Sequence, residues 1–266
     1  MSKLLFIGAG KMASAIAGGI VNANVFAAEE MAAFDISSQA AEAFTAATKV
    51  PCVPEIKQAL AEAEKVLIAV KPQYLAAAME PLKGCFEGKL IISIVAGVTL
   101  ETLSGLTGSR RIIRVMPNTP ALVGKGAAAF SGGNDATVED LNFASKVFNA
   151  AGIGLQVPEK LLDAVTGLSG SGPAYVFEFI QALADGGVAE GLPRDTALQL
   201  AAQTVLGAAA MVLETGLHPA VLKDQVTSPG GTTIRGLEKL AERGFAGTVL
   251  QAVRSASARS AELGKK

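Results

Sequence analysis

Short apolar runs alternate with alanine-rich helical stretches through the first 157 residues, and this alternation constrains the fold more than any other feature. Strands are predicted at 3–8, 31–36, 50–53, 65–70, 90–96, 111–116, 127–131 and 154–157, with helices at 12–22, 38–47, 55–63, 73–82, 100–106 and 138–149 between most of them. The run Val66-Leu67-Ile68-Ala69-Val70 is apolar throughout rather than alternately. A strand of that kind is covered on both faces, as in a parallel sheet. Repeated βα units then imply a doubly wound α/β domain. The opening run ends at Gly8, Gly10 and Lys11 without a long apolar core or a small-residue cleavage site. It reads as a buried first strand rather than a leader peptide, and a cytoplasmic location is expected.

The pattern changes near Pro158. From 158 to 266 no strand is predicted, and helical stretches are separated by Gly and Pro at 170–173, 191–193, 216–219, 229–231 and Gly244. The expected domains are therefore 1–157, with a doubly wound parallel sheet, and 158–266, all helical. The stretch 196–213 is apolar on nearly all sides, although it contains Gln199 and Gln203 and is flanked by Arg194, Asp195 and Glu214. It is marginal in length for a membrane span. A helix buried between protein surfaces is the simpler reading, and it predicts a dimer formed through the helical domain.

Gly8-Ala9-Gly10-Lys11-Met12-Ala13 has the form GxGxxA between a predicted strand and a predicted helix. Gly8 permits the turn, Gly10 lets backbone approach a pyrophosphate, and Ala13 allows close helix packing, with the first helical amides facing the phosphates. The first domain is thus expected to be of the Rossmann type, with Gly8, Ala9, Gly10, Lys11 and Met12 at the cofactor. Asp35, ending the second strand, suits ribose hydroxyls and favours NAD. Ser37 and Ser38 could receive a phosphate, and a plain helix cap is the alternative for Ser37. Val70 ends the fourth predicted strand and Lys71 and Pro72 follow it, Ala96 ends the fifth and Gly97 follows it, and Asn118 follows the sixth. All are candidates because ligands bind at the carboxyl ends of parallel strands. A solvated lysine and a rigid proline-rich loop are the plain alternatives.

Several chemistries are disfavoured. Net charge is −1 and basic residues are scattered, so no nucleic-acid partner is expected. Cys52 and Cys85 form no CxxC unit and read as two buried thiols in a reducing compartment. His218 is the single histidine, in a turn, and no GxSxG elbow accompanies it. With one histidine and no clustered carboxylates, no metal site is expected.

Two glycine-rich segments each precede a predicted helix: Ser169-Gly170-Ser171-Gly172-Pro173-Ala174-Tyr175 and Thr227-Ser228-Pro229-Gly230-Gly231-Thr232-Thr233. Each could offer amides to an anion or be an ordinary helix start. Together with Met116-Pro117-Asn118-Thr119-Pro120-Ala121, and with Asp224 to Ile234 in the form DQVTSPGGTTI, they resemble pyrroline-5-carboxylate reductases along almost the whole chain. That resemblance implies reduction of a cyclic imine to proline with NADP(H), or alternatively NAD(H), by a Rossmann domain and a helical dimerisation domain. It implies that Ser228, Gly230, Gly231, Thr232 and Thr233 cradle the substrate carboxylate, that Ser169 and Ser171 line the ring side, and that Thr233 lies near the ring nitrogen as the catalytic group. Many relatives carry Asn-Arg or Ser-Arg type residues after the second strand, where this chain has Asp35-Ile36-Ser37-Ser38. Two rivals are a 3-hydroxyacid dehydrogenase, which would need a lysine that 174–189 lacks, and a dinucleotide-binding sensor, which would need neither substrate segment.

Overall fold

The computed structural model describes residues 3–264. It begins β1 (Leu4–Ile7), α1 (Lys11–Asn22), β2 (Met31–Phe34), α2 (Ser38–Thr48), α3 (Ile56–Glu62), β3 (Lys65–Ile68), α4 (Leu75–Met79), β4 (Leu90–Ser93), α5 (Leu100–Thr107) and β5 (Ile112–Met116). There follow β6 (Gly126–Gly132), α6 (Val138–Asn149), β7 (Gly152–Gln156), α7 (Leu162–Val165), α8 (Gly172–Ala189), α9 (Arg194–Thr215), α10 (Pro219–Gln225), α11 (Thr232–Glu242) and α12 (Phe245–Leu263). The backbone packs as two compact units, one running to Ser171 and including the stretch from Ser255 on, the other Gly172–Arg254.

The first unit is the doubly wound sheet, with its strands ordered β2-β1-β3-β4-β5-β6-β7. Successive residues of β1 serve opposite faces. Leu4 and Phe6 join Ile16, Ile20, Phe44 and Val147 in one core layer, while Leu5 and Ile7 join Leu60, Leu75, Phe86 and Leu103 in the other. Both faces being covered by helices explains why the strands are apolar without alternation.

Three expectations about elements and one about the cysteines need correction. Residues 50–53 form no strand but a single parallel bridge, Ala33 to Cys52. Ala33 N donates to Pro51 O and Val53 N to Ala33 O, but Pro51 and Pro54 have no N–H with which to extend the ladder. The helix expected over 73–82 is broken into a 3-10 turn (Pro72–Tyr74), α4 and a second 3-10 turn (Glu80–Leu82), because Pro81 cannot donate. The sheet is not wholly parallel: β6 runs antiparallel to β5, and β7 is parallel to β6. Residues 117–125 are too few for the crossover of about a dozen or more residues that a parallel return needs. Finally, Cys52 and Cys85 are half-buried free thiols rather than fully buried ones. Burial pushes the Cys52 thiol above its ordinary pKa.

The second unit is helical and has little core of its own. Ala184, Ala197 and Ala201 are buried, with Ile180 and Val188 around them. Helix α9 is longer than expected and, by length and composition alone, could cross a membrane. Leu198, Leu200, Leu206, Met211 and Leu213 along it are exposed.

Candidate functional site: one sheet edge and two glycine-opened helices

The loops after β1, β2, β3, β4 and β5 share one edge of the sheet, because these five strands run parallel in adjacent register. Every residue expected at the cofactor lies in these loops or at the start of α1. Gly8 has φ +102°, and a Cβ there would come within 2.9 Å of the Ala69 carbonyl. Glycine is therefore required by the tight passage between β1 and β3. Gly10 differs. Its φ of −75° and ψ of 178° suit any residue, and a Cβ would meet no protein atom within 4 Å. The packing around it thus asks for no glycine at 10. Gly10 caps α1 with backbone alone, and no acidic residue stands in the first turn. Lys11, exposed in that turn, is a cation at the positive end of a helix, a placement that favours an anion nearby. Met12 is half-buried against the core.

Asp35 has a role the sequence did not reveal. Its Oδ2 accepts from Ala9 N at 2.8 Å and its Oδ1 from Ser37 N at 2.9 Å. The carboxylate therefore ties the end of β2 to the glycine loop. Ser37 is a helix cap, its Oγ accepting from Ala40 N at 3.3 Å, while Ser38 opens α2. Ile36 beside them is 93% exposed. Across β1 from Asp35, Val70 is half-buried, Lys71 is exposed and caps the 3-10 turn that Pro72 begins, Ala96 is exposed, and Gly97 takes φ +74°.

Asn118 is a bridge. Its Oδ1 accepts from Ala127 N at 2.8 Å and its Nδ2 donates to Ser169 O at 3.0 Å, so the two motifs around Asn118 and Ser169 are physically joined. A Cβ on Gly170 would press on the terminal methyl of Met116, which would have to move aside. The segment is not the open loop expected: Thr166–Gly170 is a π-helical turn leading from α7, and Ser171 N donates to Thr166 O at 2.8 Å. Ser169 Oγ donates to Val165 O at 3.1 Å. Such π turns are frequent at functional sites.

In the second unit, Ser228–Gly231 makes a turn closed by Gly231 N donating to Ser228 O at 3.0 Å, with Gly230 at φ +69°. Pro229 then Gly230 is the type II sequence signature. Gly231 caps α11 with φ −73° and ψ 178° and no side-chain cap, nearly the backbone of Gly10 at α1. A Cβ on Gly231 would collide with Ser228 Oγ. Thr232 is exposed and Thr233 half-buried in the first turn. His218 caps α10, its Nδ1 accepting from Ala220 N at 3.2 Å.

Known proteins resemble this chain over nearly its whole length. A pyrroline-5-carboxylate reductase dimerisation model matches residues 159–263, and an NADP oxidoreductase, coenzyme F420-dependent, model matches residues 3–97. A pyrroline-5-carboxylate reductase of Methanosarcina acetivorans is 48% identical over 99% of this chain and 98% of its own length. The chain belongs to the pyrroline-5-carboxylate reductase family. Among solved structures, the family member from Coxiella burnetii superposes with a TM-score of 0.93 at 33% identity, covering 100% of this chain and 99% of that one. The Plasmodium falciparum member, solved with NADP bound, has a TM-score of 0.88 at 35% identity, covering 99% and 98%.

One feature of this reductase fold went unread in the sequence. Arg114 sits in β5 among Ile112, Ile113 and Val115, with its side chain 9% exposed. Its Nη1 lies 3.1 Å from Glu159 Oε1 and its Nη2 3.9 Å from Asp163 Oδ1. A charge inside an apolar strand was the available signal, since a buried cation must be paired.

Proposed function

We propose that this chain reduces pyrroline-5-carboxylate to proline, the last step of proline synthesis, with NADP(H) as the hydride donor and NAD(H) as an alternative. The observation that carries this reading is the matched pair of helix starts, at Gly10 and Gly231, each capped by a glycine of the same conformation. A helix start without a side-chain cap offers its amides and positive end to an anion. The first follows β1 of a doubly wound sheet, as a pyrophosphate site does. The second, with the Ser228 hydroxyl beside it, suits a carboxylate.

When bound, the cofactor supplies the hydride that adds to the imine carbon of the protonated substrate. The chain's own part is placement and hydrogen bonding. Gly8, Ala9, Gly10, Lys11 and Met12 receive the pyrophosphate. Asp35 and Ser37 lie on the adenosine side of β1, and Val70, Lys71, Pro72, Ala96, Gly97 and Asn118 on the nicotinamide side. Ser228, Gly230, Gly231 and Thr232 hold the carboxylate, and Ser169 and Ser171 line the ring. Thr233 hydrogen-bonds the ring nitrogen as it becomes an amine, or passes it a proton.

Residues 1–157 then form the dinucleotide-binding domain and 158–266 the substrate-binding and dimerisation domain. The dimer covers the apolar side chains of α9, which is why that helix needs no membrane. Higher assembly is by dimers, in the cytoplasm, without a nucleic-acid or membrane partner. The test is NADPH oxidation with and without pyrroline-5-carboxylate. Oxidation that depends on the imine and survives a chelator is expected, and none with either cofactor would overturn the reading.

A further inference from the structure

The last turns of α12 leave the second unit and pack with the first. They do so at two points. Ser260, buried, donates its hydroxyl to Asp163 Oδ1 at 2.7 Å. Beyond it, the helix end lies against the loop after β4: a Cβ on Gly97 would be 3.5 Å from Leu263 Cβ, and one on Gly264 3.3 Å from Gly97 O. The same loop is held at its exit. Glu159 Oε1 accepts from Leu100 N, the first residue of α5, at 2.8 Å. Arg114 joins the two supports, pairing with Glu159 and facing Asp163. The loop 94–99 is thus gripped between a carboxylate at its exit and a helix end over its glycine.

Gly97, at φ +74°, is in the left-handed region and has no side chain through which to be anchored. Its position depends on what packs on it. Ala96 and Gly97 follow β4, on the opposite side of β1 from Asp35, so they belong to the nicotinamide half of a dinucleotide laid across this edge. Glu159 and the end of α12 touch the loop directly, and Arg114, Asp163 and the buried Ser260 hydroxyl tie these two supports to each other.

We propose that the end of α12, fixed by Ser260 on Asp163 and through it on Arg114, is the positioning element that sets the Ala96-Gly97 loop for the nicotinamide half of the cofactor. Ser260 touches neither cofactor nor substrate; it acts through the loop. This rests on the reading that Ala96 and Gly97 hold the cofactor, and the experiment separates the two.

The measurement is calorimetric titration of the full chain with NADPH and, separately, with the adenosine-bisphosphate half of the cofactor, which lacks the nicotinamide. Ser260→Ala should weaken NADPH binding roughly three- to tenfold through loss of a hydrogen bond to a charged group, and leave the half-cofactor within about twofold of wild type. Ser260→Thr, which keeps the hydroxyl, should restore NADPH affinity. Unchanged NADPH affinity in Ser260→Ala would overturn the proposal, and so would an equal loss for both ligands, the signature of general loosening. Gly97→Ala serves as the control. If it weakens NADPH while Ser260→Ala does not, the positioning role is wrong and the cofactor loop stands; if neither variant changes NADPH binding, both are wrong.

Discussion

Residue chemistry at the two helix starts differs, and so do its consequences. Asp35 spends both carboxylate oxygens on the amides of Ala9 and Ser37. Asp35→Ala should therefore loosen the glycine loop as well as remove a charge. The specificity constants for both NADH and NADPH should fall, with their ratio moving toward NADPH because repulsion of a phosphate is relieved. An unchanged ratio would show that the carboxylate does not face the ribose. At the other site, Ser228→Ala should raise KM roughly tenfold, about 1.5 kcal/mol for a charge-assisted hydrogen bond, with kcat retained. Thr233→Ala should lower kcat about tenfold or more at unchanged cofactor affinity and melting temperature. Full kcat with a lower melting temperature would reduce Thr233 to a helix-start hydroxyl. The two glycine-rich segments were legible in the sequence, but spacing alone left each as readily an ordinary helix start, and their roles rest on the family resemblance. The tie from Asp35 to Ala9 was not legible, since it joins residues far apart in sequence through a side chain that could equally have served the ligand. Arg114 was visible as a charge in an apolar strand, but its partners Glu159 and Asp163 come from beyond β7.

Among the elements, the starts of α5 and α6 were legible, and the structure shows a capping threonine at each, Thr99 and Thr137. The π turn at Thr166–Gly170 left no such mark, because one extra residue in a helix changes neither composition nor the flanking glycines. The direction of β6 was open for another reason: apolar runs do not carry strand polarity, and the short link 117–125 decides it. α6 also offers a test remote from the chemistry. Asp140 is buried and forms a capping box with Thr137, and it accepts two hydrogen bonds from Arg111 at 2.8 Å. Burial pushes its carboxyl up, but Arg111 and Thr137 outweigh this and hold it below its ordinary range. Because the folded pKa is depressed, the stabilisation is present above the unfolded value of about 3.9 and is lost as pH falls through the folded one. The Arg111 side chain is 39% exposed and can reach water when its partner is removed. Asp140→Asn should thus cost about 2 kcal/mol at neutral pH. The gap to wild type in urea melts should shrink below about pH 4. A gap that stays constant with pH would show that the pair contributes through packing alone.

For the molecule as a whole, the second unit's few buried alanines are too little core for the apolar surface it carries, and the family's dimerisation model over 159–263 accounts for the remainder through self-association. Leu206 is 56% exposed on the single chain, so an arginine there is tolerated by the helix itself. Leu206→Arg should shift sedimentation toward the monomer by burying an unpaired charge in the assembly, and a variant that sediments as wild type would place Leu206 outside the interface. Delivery of a hydride by this fold to a cyclic imine is followed by isotope. NADPH carrying deuterium at the transferable position of the nicotinamide is incubated with the purified chain and pyrroline-5-carboxylate, and the proline formed is analysed by mass and NMR. One deuterium per proline, on the ring carbon that had been the imine carbon, is the result expected. Proline without the label, or oxidation of the cofactor without proline, would show that the chain transfers no hydride to the imine.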